Sequence, residues 1–115
     1  MRLDARHGHS SLIIRDKMYV FGGYAPQPVA GIYLNEILIL DLSRKGERQF
    51  VDFIYLETFV WEKLEPKGNP PMARDAICIQ EYDAEIYVFG GRGKDGSFND
   101  LFVYDTSKDI MEMRS

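Results

Sequence analysis

Lys17-Met18-Tyr19-Val20-Phe21-Gly22-Gly23 returns, 68 positions later, as Glu85-Ile86-Tyr87-Val88-Phe89-Gly90-Gly91. The segment Tyr-Val-Phe-Gly-Gly is identical in both copies. A short apolar run of β-branched and aromatic residues reads as a buried strand. The paired glycines end it, because glycine takes positive φ or lets a second backbone come close. A strand repeated together with its exit is a unit of architecture, so the flanking chain is read for a repeat.

Working outward, Arg6 to Gly23 and Arg74 to Gly91 are both 17 positions, without a gap. Asn35 to Asp41 and Asn99 to Asp105 are both six. The loop after the diglycine is four residues longer in the first copy, and the connection from Asp41 to Trp61 is 14 longer than that from Asp105 to Met111. Removing both insertions from the 68-residue offset leaves a unit of about fifty residues. Each copy supplies four strands. In the first they fall at residues 6–14, 17–23, 35–42 and 59–64, with a tight turn at Arg15-Asp16. In the second they fall at 74–82, 85–91, 99–105 and 110–113, with a turn at Asp83-Ala84. Residues 24–33 and 92–97 read as loops, 43–49 as a charged loop, and 65–73, with Pro66, Gly68, Pro70 and Pro71, as a turn-rich connector. Residues 50–56 are too apolar for a free loop, so the insertion 43–59 either extends the third–fourth strand hairpin outward, the expected case, with the third strand continuing or restarting there, or forms a sticky surface contact. The period of two and the short apolar runs exclude a helical repeat.

Composition agrees with a folded β-structure. Hydrophobic residues make up 45% and charged residues 28%, which argues against disorder. A net charge of -4 argues against a surface built to neutralise phosphates, so nucleic acid is not an expected partner. No run approaches the ~18 apolar residues of a membrane helix, and residues 1–6 lack the apolar centre of a signal peptide. One cysteine, Cys78, forms no internal disulfide and fits a reducing compartment. The expected setting is the cytoplasm, with the nucleus as the alternative.

These residues resemble a known family. Arg6-x-Gly8-His9-Ser10, Tyr19-Val20-Phe21-Gly22-Gly23, Leu34-Asn35-Glu36-Ile37 with Leu40-Asp41, and Trp61-x-Lys63-Leu64 are together similar to one kelch motif from end to end. The second copy matches at Arg74, at residues 87–91, at Phe98-Asn99-Asp100-Leu101 and at Tyr104-Asp105. It departs at Ala76, Ile77 and Met111, where the first copy has Gly8, His9 and Trp61. The linker Trp61-x-x-Leu64-x-x-x-Gly68-x-x-Pro71-x-x-Arg74 looks like that of longer-linker kelch proteins. The resemblance implies an all-β fold: two four-stranded antiparallel blades of an incomplete β-propeller. Its divisions are a lead-in at 1–5, blade 1 at 6–64 with the insertion 43–59, a connector at 65–73, and blade 2 at 74–115. Propellers close with roughly four to eight blades, so two leave apolar sheet faces open and self-association through open blade edges is expected.

Candidate chemistry is weak throughout. His7 and His9 alternate onto one face of a strand, as metal ligands would, but no third ligand is suitably spaced, and a structural His9 bonding neighbouring backbone is preferred. Cys78 lies in the run Ala76-Ile77-Cys78-Ile79 and reads as a buried structural thiol. Residues 90–96 have a superficial likeness to a phosphate loop without its Gly-Lys-Ser/Thr ending or its helix. Glu81/Asp83 and Asp105/Asp109 flank turns and read as solvated rather than as acid/base pairs. The kelch family includes a copper oxidase, but its ligand set has no counterpart here. No metal, cofactor or catalytic residue is expected.

What remains is surface. The resemblance implies that second–third strand loops and blade connections share one face of the disc, where protein partners dock. Tyr24, Tyr33, Arg92, Lys94, Arg6 and Arg74 are the residues expected there, being mostly of the types that form binding hot spots. For Arg6 and Arg74 a bond to the neighbouring blade is the competing role. The expected function is a non-catalytic protein-interaction module. The alternatives are an accessory segment of a larger enzyme, a phosphatase or methyltransferase with its catalytic part elsewhere, and a gene fragment with no role of its own. Trp61 is expected to pack between blades.

Overall fold

The structure, a computed structural model, describes residues 5–26, 31–43, 47–51, 54–58 and 61–114. Among them are strands β1 (Ser10–Ile14), β2 (Lys17–Ala25), β3 (Ile32–Asp41), β4 (Glu47–Val51), β5 (Ile54–Thr58), β6 (Trp61–Leu64) and β7 (Lys67–Gly68). The second half adds β8 (Cys78–Tyr82), β9 (Glu85–Phe89), β10 (Arg92–Gly93), β11 (Gly96–Ser97), β12 (Leu101–Asp105) and β13 (Ile110–Arg114). No helix occurs among the described residues. Sheet order is β1-β2-β3-β6 in blade 1 and β7-β13-β12-β9-β8 in blade 2.

The blades are all-β and antiparallel, except for a short parallel addition. The connector contributes β7, which pairs parallel to β13 and makes blade 2 five-stranded. Gly68 permits it, since a side chain there would run into the Met111 carbonyl. Lys67 N–H donates to the Asp109 carbonyl at 2.8 Å and Asn69 N–H to that of Met111 at 2.9 Å. A segment that read as a turn-rich linker thus closes the outer edge of the next blade, where unpaired groups would otherwise face water.

Other boundaries shift for similar local reasons. The first strands begin at Ser10 and Cys78 rather than at the arginines. Gly8 and Ala76 have φ of +70° and +55°, which breaks extended pairing. The preceding residues instead form isolated bridges, His7 with Tyr24 and Asp75 with Arg92. Residues 24–33 are less of a loop than expected, because β2 runs to Ala25 and β3 starts at Ile32. In the insertion a strand restarts at Glu47, within the expected charged loop, and β4 pairs with β5 as a separate two-stranded sheet. The tight turns use positive φ at Arg15 (56°), Asp83 (52°) and Ala84 (63°).

The core lies between the blades. Tyr19, Phe21 and Ile37 of blade 1 meet Ile77, Ile86, Val88, Phe102, Tyr104 and Met111 of blade 2. Tyr19 and Tyr104 make an edge contact with ring centroids 6.3 Å apart. Register explains the choice of faces. Phe21, Ile37 and Leu64 are cross-strand partners, as are Ile86, Tyr104 and Met111, so each set shares one side of its sheet. Trp61 pairs with Leu40, on the side of blade 1 that faces away from blade 2. It is half-buried there, and Met111, its counterpart in the second copy, is the residue sealed between the blades.

Candidate partner-binding face

The diglycine of blade 1 is where the blades are joined. Gly22 has φ +59° and drops out of the β2–β3 register as a bulge. Gly23 N–H donates to the Arg74 carbonyl at 2.9 Å, and Arg74 N–H donates to the Leu34 carbonyl at 3.0 Å. Ala76 N–H donates to the Gly8 carbonyl at 2.7 Å, and the Ser10 hydroxyl to that of Ile77 at 2.5 Å. The start of blade 2 is therefore held against the diglycine and the first segment of blade 1.

Both motif arginines turn inward. Arg74 is 2% exposed, and its guanidinium bonds both carboxylate oxygens of Asp100 (2.5 and 3.2 Å), the Gly90 carbonyl (3.0 Å) and the Met72 carbonyl (2.9 Å). It also lies 3.9 Å from the Phe98 ring centroid. Arg6 repeats the device in blade 1, pairing with Glu36 at 2.5 Å and reaching the Gly22 carbonyl at 3.5 Å. Each arginine staples its own blade, where a bond to the neighbouring blade was the expected alternative. Their buried guanidinium groups do not face the surface on which a partner would land.

The other four expected residues converge. Tyr24, Tyr33, Arg92 and Lys94 line one open cleft of about 900 Å³, together with His7, Ile32, Met72, Asp75, Asp95 and Phe98. The His7 segment, β2 and β3 of blade 1 line one side, and the connector and blade 2 the other, so the cleft straddles the junction. Tyr24 and Tyr33 are register partners with ring centroids 5.1 Å apart, and His7 lies 5.4 Å from Tyr24. Arg92 is held by Asp75 through paired backbone bonds of 2.8 and 2.9 Å and an ion pair at 3.4 Å. The hydrogen bond to Asp75, then its charge, hold the Arg92 guanidinium above its ordinary pKa, so it stays a cation. Asp75 is 3% exposed, and its Oδ1 has no hydrogen-bond partner among the described residues.

Asp75, Ile32 and Met72 were not singled out individually in the sequence, although their segments were expected on the partner face, and Phe98 stood out only as part of the kelch motif. Asp75 is adjacent to the motif arginine and carries no pattern of its own; only the bridge to Arg92 reveals its place. Among the described residues no group of three His, Cys, Asp or Glu is arranged to hold a metal ion, and His7 and His9 are both exposed. Exposed His9 does not take the expected structural role at the blade centre. Cys78 is likewise exposed rather than buried, because β8 is the edge strand of its sheet and alternation turns Cys78 away from the core.

Comparison with known proteins then places the chain. The family model described as the KLHDC2/KLHL20/DRC7 Kelch-repeats domain matches residues 2–113. The chain belongs to the kelch-repeat family. It is 33% identical over 111 residues to Kelch domain-containing protein 3 of Homo sapiens, covering 89% of this chain and 25% of that protein. It is 32% identical over 100 residues to Tip elongation aberrant protein 1 of Schizosaccharomyces pombe, covering 87% and 8%. Kelch domain-containing protein 2 of Mus musculus matches at 28% over 101 residues, covering 88% and 23%. The kelch chain thus spans a quarter or less of the length of these relatives. Kelch repeats serve in general as non-catalytic protein-interaction modules. No helix among the described residues is long and apolar enough to cross a membrane.

Proposed function

We propose that this kelch segment binds a protein partner in the cleft at the blade junction, without catalysis. The observation that carries the reading is the convergence of Tyr24, Tyr33 and Arg92 on one cleft of about 900 Å³. These are the residue types that dominate binding energy, set on paired strands that lose little entropy when a partner arrives. The aromatic wall suits an apolar side chain, Arg92 and Lys94 suit an acidic or carbonyl-rich rim, and Asp75 has an acceptor to spare. The cytoplasm or nucleus is the proposed setting, which a lone free cysteine fits; fractionation that finds the chain in the secretory pathway would overturn that. Self-association through the open edge of blade 2 is the other interaction included in this reading.

The test compares pull-downs by the wild-type chain and by Tyr24→Ala/Arg92→Ala. Captured partner is expected to fall by about tenfold or more, each truncated hot spot costing roughly 1–2 kcal/mol. Unchanged capture would move the docking surface off the cleft. Arg6→Ala and Arg74→Ala do not serve this test, since both side chains are structural.

A further inference from the structure

A second pocket, of about 330 Å³, lies at the blade junction, at the opposite strand ends from the cleft. β2 carries Lys17 into this pocket and Tyr24 into the cleft, seven positions and roughly 20 Å apart. The β1–β2 turn and the end of β3 wall it on the blade 1 side, and the turns of blade 2 at Ala84 and at Thr106-Ser107 on the other. Both walls are internal to this pair of blades. The blade 1 wall donates. Arg15 and Lys17 are exposed and form no ion pair among the described residues. Tyr19 reaches the pocket from the core, 6% exposed, and its hydroxyl has no hydrogen-bond partner among the described residues. Burial raises the pKa of that hydroxyl, against the pull of the nearby Arg15 charge, so it is a neutral donor at physiological pH. The other hydroxyls accept. Ser43 gives its own proton to Asp41 at 2.6 Å, Ser107 to Asp105 at 2.7 Å and Thr106 to the Ala84 carbonyl at 2.7 Å. Each oxygen then keeps lone pairs for the O–H of a ligand.

The repeat shows that the fold does not demand these cations. At the matching turn of blade 2, Asp83 and Glu85 stand where blade 1 has Arg15 and Lys17. Arg15 and Asp83 both hold positive φ, 56° and 52°, which aspartate tolerates better than arginine. Charge then limits the ligand. The Asp41 carboxylate is taken up by the N–H and O–H of Ser43, which leaves Arg15 and Lys17 against Asp16. The surplus is one positive charge. We propose that this pocket binds a small polyhydroxy carboxylate, a sugar acid carrying a single negative charge. Its carboxylate accepts from Arg15, Lys17 and the Tyr19 hydroxyl, and its own hydroxyls donate to Ser43, Thr106 and Ser107. The volume lies at the small end of ligand pockets, which suits one sugar unit. The site is separate from the partner cleft and does not depend on it.

Gluconate is the probe, titrated into the 115-residue chain while NMR follows the backbone amides of Lys17, Thr106 and Ser107. Saturation is expected at a Kd of about 1 mM or below, a modest affinity in keeping with an open site. Sorbitol lacks the charge, and acetate and inorganic phosphate lack the carbon-borne hydroxyls. Each should bind at least about tenfold more weakly, the effect of losing one charge-assisted hydrogen bond. Tyr19→Phe should weaken gluconate about tenfold and leave thermal unfolding unchanged, because the hydroxyl has no protein partner to lose. Arg15→Asn, which suits the left-handed backbone, should weaken it similarly; Lys17→Gln takes its place should that variant lose its β-sheet circular dichroism. Absence of saturation overturns the site. Sorbitol binding as well as gluconate overturns the reading of the charge, and acetate or phosphate doing so overturns the sugar-acid class. Gluconate binding that neither Tyr19→Phe nor the cation variant alters places the ligand elsewhere and sinks the proposal.

Discussion

Gly22 and Gly90 occupy the same place in their blades and have similar backbone angles, φ +59° and +70°. Their surroundings differ. A Cβ on Gly22 would lie 2.6 Å from the Arg74 carbonyl oxygen, a backbone atom of the next blade. On Gly90 the nearest atom would be 3.4 Å away, in its own blade. The first glycine is sealed by a neighbour and the second is not. The same contrast separates Phe21 from Phe89 and Tyr19 from Tyr87. Equal sequence therefore does not mean equal energy; in a stacked repeat, what a residue is worth depends on whether the adjoining unit is present.

Several variants would break or sharpen this contrast. The largest loss is expected from Arg74→Ala, which strands the Asp100 carboxylate and the Gly90 carbonyl inside blade 2. Thermal or urea unfolding should show a destabilisation of about 3–5 kcal/mol. Met111→Ala, at a fully buried position between the blades, should cost about 2–5 kcal/mol. Trp61→Ala, its counterpart on the half-buried outward side, should cost clearly less, and equal losses would erase the distinction between inner and outer faces. Gly22→Ala should cost about 2–3 kcal/mol from collision and left-handed strain combined, against about 1 kcal/mol for Gly90→Ala from strain alone. Similar values for the two would show that the junction yields to an added methyl.

Smaller effects follow at Tyr104 and Ala76. Burial first, then its 2.7 Å hydrogen bond to Asp109, raise the Tyr104 hydroxyl above the ordinary tyrosine pKa. A raised folded value means that its stabilising contribution is complete below the unfolded value of about 10 and is lost as pH climbs beyond it. Alkaline unfolding should accordingly begin above about pH 10, and Tyr104→Phe should blunt it while costing about 1 kcal/mol at neutral pH. Ala76 holds φ +55° where blade 1 has Gly8. Ala76→Gly should stabilise by about 0.5–1 kcal/mol, since relief of left-handed strain exceeds the added chain entropy. A destabilisation would show that the Ala76 methyl makes a packing contact that outweighs the strain.

Much of the fold was legible locally. The repeat, the strand order and the hairpin turns rest on alternation and turn chemistry, which belong to a few consecutive residues. That Tyr24, Tyr33, Arg92 and Lys94 come together on one cleft was legible as well, because they follow the diglycines and their strands fix where they emerge. Arg6 and Arg74 lie away from that cleft for a physical reason. Arg6 and Arg74 are charged, and only the carboxylates of Glu36 and Asp100, 30 and 26 positions away, make it favourable to bury them. Asp75 was invisible because its significance is a bridge to Arg92, made across a turn of the blade.

The sequence by itself thus determined two kelch blades, their register and the residues able to face inward, since side-chain alternation and glycine freedom are properties of the chain. Only the tertiary structure decided which side of each sheet is covered. It decided that Cys78 and Phe89 stay exposed while Met111 is sealed, and that Lys67–Gly68 joins the neighbouring sheet. Burial is a relation between a surface and whatever packs on it, and an apolar alternation reads the same whether or not the next blade has arrived.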